Sequence, residues 1–170
     1  MPTNHTTINI NNKSPSVNQE INAPFLNKVK DGIMSSGSGY LPKLCNELME
    51  YNSKYNWVGI YVLKGDKLIL DSYSGERTEH EQISIGDGLC SQAIVQNAIV
   101  NEADVKSNSS YLACFVNTRS ELVVPVRLGG KPVGEIDIDS DTRGAFHKED
   151  ESFISEIAEL ISKVVGSLGK

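Results

Sequence analysis

Two thiols and a set of carboxylates carry the chemistry this sequence can offer. Cys114 stands seven residues before Glu121. A strand-like run, Leu122-Val123-Val124-Pro125-Val126, follows it. Gly129-Gly130 then signals a hairpin turn, because glycine tolerates the positive φ of tight turns. The returning run from Val133 to Asp139 alternates, with Ile136 and Ile138 on one face and Asp137 and Asp139 on the other. Two carboxylates side by side on one strand face repel each other, so that face suits water, a metal or a cationic ligand. Each piece also has a plainer reading. Arg119-Ser120-Glu121 reads as an ordinary strand entry, and Asp137-Ile138-Asp139 as a charged edge that deters sheet-to-sheet pairing.

Cys90 is predicted in the first turn of a short helix from Leu89 to Asn97, where unpaired backbone amides would favour a thiolate. Cys45 falls in an apolar helical stripe and reads as a buried structural thiol. Several readings of Cys90 and Cys114 stay open at this point. A zinc site would draw on Cys90, Cys114, His80 and His147, but they lack paired ligand spacing. A cysteine hydrolase needs a base beside its nucleophile, and His5, His80 and His147 have no diagnostic context. A redox pair needs only that the two thiols approach. Two unremarkable thiols are the plain alternative.

Hairpin register decides whether the carboxylates meet. With a simple two-residue Gly129-Gly130 loop and a regular ladder, Glu121 faces Ile138. A one-residue shift brings it opposite Asp137 or Asp139. Convergence therefore predicts a three-residue loop, a bulge, or Glu121 lying ahead of the regular ladder. Pro125, which cannot donate to a ladder, makes irregularity plausible there.

The elements that must position these groups follow from periodicity. Residues 1–20 are rich in Asn, Thr and Ser and read as a flexible polar arm. Residues 21–39 read as a short helix from Ile21 to Met34, with Pro24 near its start, and an SSGSG linker. Leu41, Leu44, Cys45, Leu48 and Met49 recur at helical spacing over Leu41 to Tyr51. Trp57 to Leu63 and Lys67 to Tyr73 form a hairpin about Gly65-Asp66. Gly59 leaves room above the sheet or marks a bulge. Residues 74–84 and 101–111 read as loops. A last helix begins near Glu149, with Phe153, Ile154, Ile157, Ile161, Val164, Val165 and Leu168 along one stripe. The order of helices and hairpins implies an α+β domain, an antiparallel sheet flanked by helices.

Length and composition bound the rest. A chain of 170 residues fits one domain with a sizeable core. A net charge of −6 without a basic cluster argues against nucleic acid. No long apolar run suggests a membrane span, and no basic and apolar blocks of a secretory signal open the sequence. Three cysteines do not make a disulfide scaffold, so a reduced, cytoplasmic protein is expected.

NWVGIY at 56–61, IGDGLCSQAI at 85–94, Asp104-Val105, ACFVNTRSELVVPV at 113–126 and GEIDIDS at 134–140 together resemble the GAF domain superfamily. Within it they are similar to the free methionine-(R)-sulfoxide reductases. The resemblance covers about residues 40–168, and residues 40–170 are accordingly read as the GAF-like domain. It implies that Cys114 attacks the sulfoxide sulfur and that Cys90 resolves the intermediate as a disulfide. It implies that Glu121, Asp137 and Asp139 line the ligand pocket and that Trp57 and Tyr61 help enclose the substrate. Clustering of the carboxyls raises the pKa of one member, Asp139 or Glu121, which is then expected to donate the proton to the sulfoxide oxygen. No cofactor or metal is implied. The implied partners are a thioredoxin-like dithiol reductant and a second copy of the chain. The sequence departs from the family pattern at His80, where many members carry another cysteine, and at Ser91, where glycine is familiar. It also carries Tyr111-Leu112-Ala113 before Cys114 and Phe115 after it. The alternative function is a non-catalytic GAF module that senses a small ligand.

Overall fold

The computed structural model describes the backbone of residues 17–112 and 115–170, with side chains from Glu20 onward. Cys114 lies outside the described residues, as does most of the N-terminal arm. Helices α1 (Val17–Ser36), α2 (Leu41–Tyr51), α3 (Gly88–Gln96) and α4 (Lys148–Leu168) surround one sheet. Its strands are β1 (Trp57–Lys64), β2 (Lys67–Ser74), β3 (Gln82–Ser84), β4 (Val100–Glu102), β5 (Ser120–Leu128) and β6 (Lys131–Ser140). They run in the order β3-β2-β1-β6-β5-β4, and every neighbouring pair is antiparallel. The α+β expectation, a central antiparallel sheet flanked by helices, is met.

Strand alternation divides the sheet into two faces. Val58, Ile60, Val62, Leu122, Val124, Val126, Ile136 and Ile138 point to one side. There they pack against the apolar stripes of α1, α2 and α4, and Cys45 is fully buried among them. Burial, with Asp71 adding to it, pushes the Cys45 thiol up to about 12, which makes it the inert structural thiol its position suggested. The other face carries Trp57, Tyr61 and Val123 beneath α3 and the connecting loops.

Several local expectations need correction. Helix α1 begins at Val17, inside the stretch read as arm, so Pro24 sits within the helix rather than at its start. Proline there lacks the N–H that would bond back along the helix. The SSGSG segment is not an open linker. Ser35 and Ser36 finish α1, and Gly37–Tyr40 forms a 3-10 turn, with Gly37 at φ +55, that leads directly into α2. Both segments expected as loops hold a three-residue strand, β3 and β4. Each is too short to show alternation and exists because an edge of β2 or β5 is there to pair with.

The Gly129-Gly130 loop does close as a two-residue turn, with Leu128 opposite Lys131. The predicted departure is a bulge farther along. Val126 pairs with Gly134 but Arg127 with Pro132, which leaves Val133 as the extra residue on β6. The shift puts Glu121 opposite Asp139. Pro125 stays in the ladder opposite Glu135, and it lies beyond the last β4 partner, Val123. The irregularity adjoins Pro132 instead.

Candidate active site

The site is a grid of side chains on the sheet face beneath α3. Strand β6 runs between β1 and β5, so its residues have a cross-strand neighbour on both sides. One row is Trp57, Asp139 and Glu121. The next is Gly59, Asp137 and Val123, and the third is Tyr61, Glu135 and Pro125. Asp137 and Asp139 therefore do not decorate an edge strand. They are central, 0% and 2% exposed, and Glu121 and Glu135 are buried with them. Glu135 was missed in the sequence although it lies on the same two-residue period as Asp137 and Asp139.

Gly59 makes room for the tryptophan. A Cβ there would collide with the Trp57 ring, so the absent side chain lets that ring lie along its own strand. Trp57 Nε1 donates to the Glu76 carbonyl at 3.0 Å. Its ring stacks on Tyr73 at 6.1 Å and is tilted towards Phe115, 5.8 Å away, and Tyr61, 6.4 Å away. Tyr61 is fixed by its hydroxyl, which donates to the His80 carbonyl at 2.8 Å. A cavity of about 190 Å³ opens beside the first row, walled by Trp57, Glu76, Phe115, Thr118 and Asp139.

Helix α3 lowers Cys90 onto this carboxylate floor. Cys90 is the third residue of the helix and 4% exposed. Its Sγ donates to Asp137 Oδ2 at 3.5 Å and to Glu121 Oε1 at 3.8 Å. The thiolate expected from the helix N-terminus is not what the structure supports. Burial, followed by the charges of Asp137, Glu135 and Glu121, holds the Cys90 thiol well above its usual range. The helix-end field is a local effect, and burial together with the carboxyl groups on the facing sheet outweighs it. Ser91, the departure beside Cys90, acts locally. Its Oγ accepts the Gly86 N–H and ties the preceding turn to α3.

The carboxyls are perturbed in the same direction. Burial pushes Glu135 up to about 8, with the Cys90 thiol opposing. Burial and then Glu135 push Asp137 up to about 8, again opposed by Cys90. Glu121 and Asp139 are held well above the carboxylate range, by burial first and then by Asp137; the Thr118 hydroxyl works the other way on Asp139. Among the described residues, both oxygens of Glu135 and of Asp139, and Oδ1 of Asp137, are buried without a hydrogen-bond partner of good geometry. A protein core does not collect unpaired acids without a use for them, because each costs roughly 1–3 kcal/mol.

The structure thus brings together Cys90, Glu121, Asp137, Asp139, Trp57 and Tyr61, and adds Glu135. Leu112 and Phe115, the described residues flanking the Cys114 segment, pack against the same cluster as Cys90. His147 is elsewhere in function: exposed, it begins α4, where its N–H donates to Asp150 at 2.8 Å. It offers no support for the histidine-based zinc or hydrolase readings.

The sequence model of the GAF domain matches residues 40–165. The chain belongs to the GAF domain family. This GAF domain is similar to a free methionine-R-sulfoxide reductase of Escherichia coli, with 30% identity over 84% of this chain and 87% of that protein. Among solved structures it resembles a type II free methionine-R-sulfoxide reductase from Thermoplasma acidophilum. The identity is 52% and the TM-score 0.75, covering 82% of this chain and 96% of that one. It also superposes on the reductase of Neisseria meningitidis solved with its substrate, at TM-score 0.79 and 25% identity, covering 92% and 96%. No helix among the described residues is long and apolar enough to cross a membrane.

Proposed function

We propose that this GAF domain is an enzyme that reduces free L-methionine (R)-sulfoxide to L-methionine. The observation that carries the reading is the Cys90 thiol hydrogen-bonded to the buried carboxyls of Glu121 and Asp137 in a chain 52% identical to a free methionine-R-sulfoxide reductase.

The chemistry follows from the groups at hand. The substrate ammonium enters the carboxylate floor of Glu121, Asp137 and Asp139, where charge-assisted hydrogen bonds replace the missing partners. Trp57 and Tyr61 enclose its apolar part. Cys114 attacks the sulfoxide sulfur. Asp139 or Glu121, protonated near neutrality because burial holds it so, donates to the sulfoxide oxygen. Oxygen passes to sulfur, methionine leaves, and Cys114 is left as a sulfenic acid. Cys90 then condenses with it, forming a disulfide and releasing water. Its proton has acceptors in Asp137 and Glu121, already within hydrogen-bonding reach. An external dithiol of the thioredoxin type reduces the disulfide by exchange. Both thiols together supply the two electrons that the sulfoxide takes up, so no metal or cofactor enters the cycle.

We also assign the dimeric state of the family to this chain, with α1, whose Ile21 and Met34 side chains are exposed, as one contributor to the contact.

A floor that pairs with the amino group leaves no exit for a preceding residue. Free methionine (R)-sulfoxide should therefore be reduced about 30- to 150-fold faster than the same group within a peptide, since losing the charged pair costs roughly 2–3 kcal/mol. Comparable kcat/KM values on both substrates would refute this part of the mechanism.

A further inference from the structure

The acidic floor has a second consequence. We propose that Cys90, Glu121 and Asp137, with Glu135 beside them, bind a divalent cation of the zinc class, and that zinc held there reversibly inhibits the site.

Ligand spacing is the first support. One atom from each of Cys90, Glu121 and Asp137 lies within 4.8 Å of the others. Ligands at zinc distances of about 2.0–2.3 Å in a tetrahedron stand about 3.3–3.8 Å apart. Cys90 Sγ is already 3.5 Å from Asp137 and 3.8 Å from Glu121, so small side-chain shifts would close the set. The second support is the unsatisfied chemistry around those atoms. Among the described residues, Asp137 Oδ1 and both oxygens of the fully buried Glu135 have no hydrogen-bond partner of good geometry. The sheet register places Glu135 two residues before Asp137 on the same face, next to this set of three. The third is charge. The ion pairs among the described residues lie elsewhere, so among those residues no lysine or arginine is paired with this acidic group.

Sulfur in the set selects the metal. Calcium and magnesium take oxygen ligands, whereas a thiolate with carboxylates suits zinc, cadmium or cobalt. Binding would release to solvent the thiol proton and the protons held by the Glu121 and Asp137 carboxyls, and place the thiolate and carboxylates on the metal. With Cys90 held that way, the disulfide cannot form, and Glu121 and Asp137 cannot receive an ammonium group. The metal is an inhibitor here, not a participant in turnover. Its binding stands on the geometry alone; the inhibition rests on the proposed reductase activity.

The test uses metal-free, reduced Cys114→Ser protein, which removes Cys114 as a ligand. Titration with Zn²⁺ against a chromophoric chelator should give about one bound zinc per chain, as a single tetrahedral site requires. Cys90→Ser and Asp137→Asn introduced on that background should each weaken binding at least about tenfold. Co²⁺ added to the protein with Cys90 intact should show thiolate-to-metal charge-transfer absorption, a readout that does not depend on the variants folding. Absence of that absorption, or zinc affinity unchanged in the Cys90→Ser protein, overturns the proposal. In a separate arm, free methionine (R)-sulfoxide should compete with zinc; simultaneous binding would overturn the inhibition. Turnover in metal-free buffer tests the reductase reading independently, so failure of one leaves the other distinguishable.

Discussion

A Cys90→Ser protein should form about one equivalent of methionine per chain and then stall, because its sulfenic acid has no resolving thiol. With thioredoxin as reductant, steady-state turnover should fall at least about 100-fold. The stalled chain should react with a sulfenic-acid trap such as dimedone, whereas the unaltered protein after one turnover should not, having closed its disulfide. The structure gives this prediction its force. Cys90 is nearly inaccessible and has a raised pKa, so it is poorly suited to attack an incoming substrate. It is well suited to a later step that delivers a partner sulfur to it within the pocket. Turnover of Cys90→Ser at the unaltered rate would remove it from the cycle.

Asp137→Asn should change stability and binding in opposite directions. In the folded chain burial keeps the Asp137 carboxyl protonated up to about 8, and Glu135 adds to the effect. In the unfolded chain an aspartate ionises near pH ~3.9. Between those values the folded state holds the extra proton. The contribution is therefore complete below the unfolded pKa and is lost as pH rises through the folded one, with a slope of about 1.4 kcal/mol per pH unit for each such group. Asparagine has no proton to lose. Substrate-free Asp137→Asn should match the unaltered protein near pH ~4 and exceed its stability by on the order of 2–4 kcal/mol near pH ~8. The same change removes a carboxyl that gives up its proton when the substrate ammonium pairs with it, and should raise the substrate Kd roughly 10- to 100-fold. Urea unfolding at the two pH values and direct binding titrations check both halves. A variant less stable than the unaltered protein at pH ~8 would mean that Asp137 is ionised and satisfied in the fold.

That trade is also where the sequence stops being informative. Alternation in Gly134-Glu135-Ile136-Asp137-Ile138-Asp139 says correctly which residues share a face, because a strand's period is set by its own backbone. It does not say whether the strand is central or at an edge. Placing β6 between β1 and β5 depends on pairing with a strand more than seventy residues earlier, Trp57 with Asp139, which no local pattern encodes. The reading of Asp137 and Asp139 as an edge device failed for that reason, and Glu135 went unnoticed because its significance comes from burial. The need for a register shift was legible from Glu121 and the two glycines. Its location at Val133 was not, since the sequence pointed to Pro125 and the structure keeps Pro125 in the regular ladder. Cys90 shows the same limit. Its place in the first turn of α3 was readable, but the sign of its pKa shift is set by burial first and then by carboxyls 31 to 47 positions away. Cys114, the residue assigned the first step, is located by the family resemblance alone.

The most direct test of the central claim is methionine formation from separated (R)- and (S)-methionine sulfoxide, supplied as free amino acids with a dithiol reductant. Unaltered protein and Cys114→Ser should be compared side by side. Conversion of the (R) form only, lost in the Cys114→Ser protein, is the expected result. Conversion of neither form by folded, fully reduced protein would contradict the reductase mechanism and leave a GAF domain that binds a small ligand without transforming it.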